Sequence, residues 1–520
     1  MRSYKFLMLF LLSILAIIIL KLPRYLDAGL NLSYPVINFD LSLRLILISF
    51  LSAALLIILS AKNLSFSEML FFSTYTISSL CAVLSKQILL SVIFCELMTI
   101  SASFIIATSS KNTVLPAVKY ACIHFFAEIV LTLGLTIDNS NLIIISQLIN
   151  CACFPFSFWI IDTYPTTSLH GASYLSIFTT KISFLVSLLH TYNLWQNYAE
   201  ILAFLGTITT IYSIIFASLE QNIRRFLAYN VVGQMGMLIL TGSLLSRLEN
   251  SFPLLVLNII FSITHQLLFV IIANAIILQT KAVNFNGTKK KLSAEGICTL
   301  IAILTMAAFP GTVGFISKSC IVAEIKMNSD NLKLYENLYK ILHLLLYLSI
   351  GLKFLYYIFI TKSKSKSYTK KDSNISMIIL TFICIILGNP YLPIYNESVI
   401  FNLVYNTQNI WSQFNLLVCT TLLFIPLRKL FLPRINFKVD IDWFFTSLLL
   451  YFASLFNKIV LIIKKNFTNA FQNLTKLLIN SYFNDNLKFK KVLNYNSVSF
   501  VSASSLFLMS VLLVLLCLNH

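Results

Sequence analysis

The chain has 520 residues, 58% of them hydrophobic and only 11% charged, with a formal net charge of +19 and a mean hydropathy of +0.85. A soluble surface carries about 25% charged residues, so the composition excludes a soluble globular protein. Apolar windows of about 18 to 22 residues, enough to cross a hydrocarbon core of roughly 30 Å, recur along nearly the whole chain.

Taken in order, spans are expected at 6–20, 42–60, 67–84, 88–108, 116–136, 142–160, 169–190, 199–218, 227–243, 254–279, 297–318, 337–360, 375–391, 413–427, 443–463 and 499–517. The expected fold class is an all-α polytopic membrane protein with about 14–16 transmembrane helices. Arg2 and Lys5 put the N-terminus inside, and the first apolar run, with no small-residue cleavage site behind it, reads as a retained helix. The basic loops at Arg224-Arg225, Lys289 to Lys291, Lys362 to Lys371 and Arg428-Lys429 then share that side, which explains the positive charge without invoking nucleic acid. The polar stretch 466–496 is either an interfacial amphipathic helix or a further crossing.

No polar stretch is long enough to fold as a domain, and no Gly-rich phosphate loop occurs. The ten cysteines form no CxxC pair; Cys81, Cys95, Cys151 and Cys153 read as small apolar residues, so no metal and no disulfide framework is expected.

Ionisable groups inside spans carry the functional signal, because each is costly there and tends to face protein or a hydrated path. Glu96 lies in SVIFCELMTISASFII, and Lys181 in HGASYLSIFTTKISFLVSLLH with no acidic neighbour within a turn. The partner of Lys181 is therefore expected on another helix, with Glu96 the obvious candidate. His265 in NIIFSITHQLLFVIIANAII is either a satisfied core histidine or a proton-exchanging link. Lys353 in YLSIGLKFLYYIFI either snorkels toward headgroups or joins a midplane relay. Lys119, His124 and Glu128 form another polar patch, with His124 and Glu128 on one helix face. Asp162, between Pro155 and Pro165, is a helix cap, a solvated loop residue or a functional carboxylate. Pro310, Gly311 and Gly314 interrupt an apolar segment ahead of Lys318, loosely like Pro155 and Pro165 ahead of Lys181. Broken helices in two related halves are a mark of secondary transporters. Neither GxSxG nor HExxH occurs, so nothing suggests intramembrane hydrolysis.

Five stretches together resemble the antiporter-like membrane subunits shared by respiratory complex I (NADH:quinone oxidoreductase) and the Mrp-type multisubunit Na+/H+ antiporters, over roughly residues 40 to 430. FCELMTISASFII resembles the family's ELM helix, AVKY (117–120) its ALKY, and FPFSFWIIDTYPTTS its FPLHFWLPDAYPAAPSPVS. ASLEQNIRRFLAYNVVGQMG (217–236) resembles ALxQxDLKRLLAYSSISQMG, and FPGTVGFISK resembles LPPxxGFxxK. The look is nearest to the D-type Mrp subunit and the complex I chains of the 2, 4 and 5 class. The resemblance assigns Glu96 the essential carboxylate and Lys181 the lysine of a broken helix. THQLLFVIIA resembles HxxFKAxLF, and His265 fits its histidine, but Phe269 or Val270 stands where the lysine is expected. Ser157 replaces the family's histidine, Thr167-Ser168-Leu169-His170 its SPVS, and Asn230 the first serine of AYSS.

What the resemblance implies is a proton- or cation-translocating subunit of a multisubunit Na+/H+ antiporter in a bacterial inner membrane. It would bind no cofactor and work beside other membrane subunits, with Glu96, Lys181, His265, Lys353, Lys318 and Lys119 as its site. A proton-pumping complex I subunit and a divergent inactive scaffold are the alternatives. The expected organisation is N-terminal helices (1–60), two inverted-repeat halves with discontinuous helices (61–220 and 221–430), and C-terminal helices (431–520).

Overall fold

The computed structural model describes residues 8, 11–13, 39–61, 64–110, 113–248, 251–285, 294–328, 333–360, 375–392, 395, 404–428 and 431. The chain divides into units of residues 1–442 and 443–520. The expected spans 443–463 and 499–517, the segment 466–496, nearly all of the span 6–20, and Arg2 and Lys5 lie outside the described residues.

Among the described residues the main α-helices follow in chain order. They are α1 (Phe39–Ser60), α2 (Phe66–Leu84), α3 (Ile88–Ala107), α4 (Val114–Thr136), α5 (Ser140–Asn150), α6 (Phe158–Thr163), α7 (Leu169–Asn197) and α8 (Ala199–Leu219). Then come α9 (Ile223–Leu245), α10 (Phe252–Thr280), α11 (Ala294–Met306), α12 (Val313–Asn328), α13 (Lys333–Leu346), α14 (Ile375–Ile386) and α15 (Thr407–Leu427). Among the described residues ten helices are long and apolar enough to cross a membrane, α13 counted with its continuation to Ile360; α5, α11 and α14 are shorter and apolar. The protein is an all-α, multi-pass membrane protein.

Local chemistry sets the helix ends. Ser65 and Glu68 make a capping box, the Ser65 hydroxyl accepting from the Glu68 amide at 3.2 Å and the Glu68 carboxylate from the Ser65 amide at 3.1 Å. Asn222 opens α9 by accepting from the Arg224 amide at 2.8 Å.

Two of the expected spans, 142–160 and 297–318, are each broken, the second at the interruption that Pro310, Gly311 and Gly314 mark, and the breaks are alike. After α5 the chain turns at Ala152 (φ 53°), and after α11 at Ala308 (φ 58°). In each, the amide after the left-handed alanine donates back across the last turn: Cys153 to the Leu148 carbonyl at 3.0 Å, and Phe309 to the Leu304 carbonyl at 2.9 Å. The alanine amides bond the Ile149 and Thr305 carbonyls at 3.1 Å. This is the Schellman ending, which satisfies carbonyls that lipid could not. Pro155 and Pro310 follow within three residues and prevent either helix from resuming in register.

The centre of the described unit is built on α7, α9 and α10, whose most apolar windows are almost wholly buried. α8 and α9 approach closely because Gly206 and Gly236 face each other; a Cβ on Gly206 would lie 2.8 Å from the Gly236 carbonyl. On α3 the outward stripe Leu89, Ile93, Leu97, Ile100 and Phe104 is exposed, as suits lipid or a neighbouring subunit.

Candidate functional site

Lys181 is fully buried at the middle of α7. Its Nζ donates to the Ser176 carbonyl at 2.9 Å and to the Gln266 side-chain oxygen on α10. The expected pairing with Glu96 is not made: among the described residues Glu96 forms no hydrogen bond or ion pair with Lys181. Glu96 stands half-buried on α3 between the exposed Ile93, Leu97 and Ile100, so its helix face looks outward while Lys181 turns toward the centre. A buried ammonium costs several kcal/mol of desolvation, here met by neutral oxygens rather than by a carboxylate.

His265, next to Gln266, is also buried. Its Nδ1 lies 2.9 Å from the Phe261 carbonyl and therefore donates, while Nε2 has no protein partner. Its ring stacks on Phe261 at 4.6 Å, and Phe261 in turn lies 6.4 Å from the His343 ring of α13. His343 interacts electrostatically with both His265 and Lys318. Lys318, five residues past the start of α12, is buried, and among the described residues its Nζ has no hydrogen-bond partner. It lines a pocket of about 490 Å³ with Lys326, Lys340, Asn406, Ser412 and Gln413.

Lys353 differs from these. The helix from α13 widens into a π turn at Tyr347–Leu352 and another at Tyr356–Ile360, with Lys353 between them. Its Nζ donates to the carbonyls of Ala217, Ser218 and Glu220 at 2.8, 2.7 and 2.8 Å. These belong to the C-terminal end of α8, where helix carbonyls lack partners and a positive charge is favoured. The rings of Phe226 and Phe285 flank it at 5.5 and 5.4 Å. Phe269, one of the two positions (with Val270) at which the resemblance leads one to expect a lysine, packs in that aromatic cluster, 4.5 Å from Phe354.

Lys119 pairs with Asp162 at 3.1 Å, joining α4 to α6. Asp162 does not cap the following helix; the Ser168 hydroxyl does, accepting from the Gly171 amide at 3.0 Å. His124 and Glu128 do not bond each other directly. Asn150 of α5 stands between them, its oxygen 2.9 Å from His124 Nδ1 and its amide nitrogen donating to Glu128 at 2.9 Å.

The structure thus brings Lys181 and His265 together through Gln266, and His265 toward Lys318 through His343. It sets Glu96, Lys119 and Lys353 apart from that line. Gln266 and His343 carry no mark in the sequence reading, although His343 lies in an apolar run just as His265 does.

Residues 135–335 match the family model for the membrane part of NADH:quinone oxidoreductase and Mrp antiporter subunits. NADH-quinone oxidoreductase subunit N of Acidithiobacillus ferrooxidans is 24% identical over 172 residues, 32% of this chain and 35% of that protein. NADH-ubiquinone oxidoreductase chain 2 of Dictyostelium discoideum is 26% identical over 242 residues, 42% of this chain and 46% of that protein. The match spans less than half the length of either relative. In structure the chain is similar to one from the Mrp complex of Dietzia sp. DQ12-45-1b, with a TM-score of 0.68, 14% identity, and coverage of 88% of this chain and 57% of that one. A chain of the archaeal membrane-bound sulfane sulfur reductase is similar with a TM-score of 0.60, 18% identity, and coverage of 91% and 88%. At these identities the structural likenesses show a shared fold.

Proposed function

As this chain belongs to the NADH:quinone oxidoreductase/Mrp antiporter membrane-subunit family, we propose that it passes protons through its interior as one subunit of a multisubunit cation/H+ antiporter. The observation that carries the reading is how unequally the buried lysines are bonded. An ammonium has three N–H donors and a neutral amine two. Lys353 meets three carbonyls, which hold it as a fixed ammonium. Lys181 meets two acceptors, a set that serves the neutral amine as well as the ammonium. Lys318 meets none from protein and borders a polar pocket. Lys181 and Lys318 are therefore the amines able to give and take a proton without breaking their surroundings, and the imidazoles of His265 and His343 lie between them.

In this reading a proton moves between Lys181 and Lys318 by way of His265 and His343, with water completing the gaps. Gln266 holds the Lys181 amine in place and carries no proton itself. Phe269 leaves the path uninterrupted because it belongs to the aromatic packing around Lys353. Glu96, at the outward face of α3, supplies a carboxylate at the edge of the chain. Lys119 holds the first broken segment through Asp162.

The test is ion flux. The assembly, with its neighbouring subunits, is reconstituted in sealed vesicles carrying a pH gradient, and sodium-dependent pH recovery is followed for wild type, Lys181→Met and Glu96→Gln. Recovery in wild type that is lost in Lys181→Met is expected; equal recovery in both would sink the relay. A second reading, a proton pump driven by quinone reduction, is favoured by the relatives named as NADH–quinone or NADH–ubiquinone oxidoreductase subunits. Acidification that needs quinone reduction and ignores sodium would select it.

A further inference from the structure

Glu128 lies on α4, away from the line of lysines, and is buried. One carboxylate oxygen accepts from Asn150, while Oε2 has no partner among the described residues. Gln147, one turn before Asn150 on α5, is also buried; its nitrogen donates to Thr191 at 2.7 Å and its oxygen has no partner among the described residues. His190 on α7 has an unpartnered Nε2. These three orphaned groups line one cavity of about 30 Å³, together with Cys95 of α3 and Ser183 and Ser187 of α7. Four helices each turn a polar face to the same small space, although apolar side chains would pack it at less cost.

We infer that this cavity is a proton-exchange station, with Glu128 as the proton carrier and water as the ligand that loads and unloads it. A water molecule needs roughly 10–15 Å³ of such space and two to four polar partners, so the cavity admits about two. Water there can accept from a protonated Glu128 Oε2 and donate to the Gln147 oxygen and to His190 Nε2. Loading passes a proton from protonated His190 through that water, which gives one proton to Glu128 Oε2 as it takes one from the imidazolium; unloading returns it by the same path. The imidazole among the lining groups suits a proton better than a hard metal ion, which takes oxygen ligands.

The groups facing Glu128 are few. α3 brings Cys95 and Glu96, the latter within electrostatic range; α7 brings His190; α4 itself brings His124, held by the Asn150 oxygen. α5 offers only Gln147 and Asn150, and the one acid of α6, Asp162, is paired with Lys119. Asn150 is a positioning residue, fixing Glu128 on one side and His124 on the other. The station would place a second carboxylate inside the protein, beside the half-buried Glu96 of the neighbouring helix. It rests on the translocation reading given above.

Infrared difference spectroscopy on the reconstituted assembly reads the site directly. The carbonyl stretch of a protonated carboxyl group is expected in wild type at neutral pH, and it should shift when H2O is replaced by D2O. It should vanish in Glu128→Gln, which keeps an oxygen for Asn150, and persist in Glu96→Gln. Proton flux in Glu128→Gln should fall by about tenfold or more with the melting temperature unchanged. A band that survives Glu128→Gln, or that sodium bleaches at constant pH, overturns the assignment. Normal wild-type flux that Glu128→Gln leaves intact sinks the station alone, whereas a wild-type assembly that passes no protons sinks the translocation reading with it.

Discussion

Nζ of Lys353 donates at 2.8 Å to the main-chain carbonyl of Glu220, the residue just past the end of α8. Two more carbonyls, of Ala217 and Ser218, receive its other hydrogens. A charge placed midway along an apolar helix is thus consumed in closing another helix. In Lys353→Met these carbonyls lose their donor in a site the solvent does not reach, and the assembly should lose about 3 kcal/mol of stability. Flux per correctly folded assembly should be largely retained, measured against a thermal melt of the same sample. Unchanged stability with abolished flux would give Lys353 the relay role instead.

Gln266 presents the opposite case, a neutral side chain on which an amine depends. Gln266→Leu removes an acceptor from Lys181 without changing charge, and should lower flux by about tenfold. Gln266→Glu retains an oxygen and should restore hydrogen bonding, while holding Lys181 as an ammonium and slowing its release of protons. A Leu variant with full flux would show that Lys181 needs no positioning from α10.

Gly314 lies in the first turn of α12 against the last turn of α11, and a Cβ there would run into the Thr305 carbonyl oxygen. Gly314→Ala must push the two half-helices apart, at about 1–3 kcal/mol. Gly311, in the same break, has φ 87° and open space around it, so its alanine variant meets only backbone strain of roughly 1–2 kcal/mol. Denaturation of the two variants should rank Gly314→Ala as equal or worse; a milder effect there would mean that the break yields easily.

Ala152 and Ala308 occupy the left-handed position that glycine ordinarily fills. Replacing either with glycine should relieve strain and raise stability by about 0.5–1 kcal/mol, since only a methyl group is lost. Melting temperatures of the single variants check this. A fall would show that these buried methyl groups contribute more through packing than the backbone loses.

The apolar runs are legible because their length and composition alone decide between lipid and water. Spans such as 42–60 and 67–84 fall within three residues of α1 and within one of α2. The breaks were legible only as warnings: Pro155 and Pro310 mark them, but the turn itself is made by alanines with no propensity for it. The two halves expected around those breaks remain a proposal, to which the matched caps lend support.

Within the site, residue type pointed to the buried amines but could not choose their partners. Lys181 reads as needing a counter-charge, since an isolated ammonium inside a span demands one. Which helix faces it is a matter of packing, and α10 offered an amide. Lys353 and Lys318 look equivalent in the sequence, yet one is fully bonded and the other is not. His343 meets the same criterion as His265, an imidazole in an apolar run, but the polar turn holding Glu336 and Lys340 just before it masks the signal.

The π turns on either side of Lys353 make chain length itself a functional quantity. A π turn accommodates one residue more than the α turn it interrupts, so the stretch Tyr347–Ile360 encodes an angle as well as a set of side chains. Inserting a further residue between Tyr347 and Leu352, where the π turn already takes up its one extra residue, would swing Lys353 by about 100°. Every side chain would survive such an insertion, and the end of α8 would still lose its cap. Along this segment register is inherited with composition, and a lengthened version would be a different part.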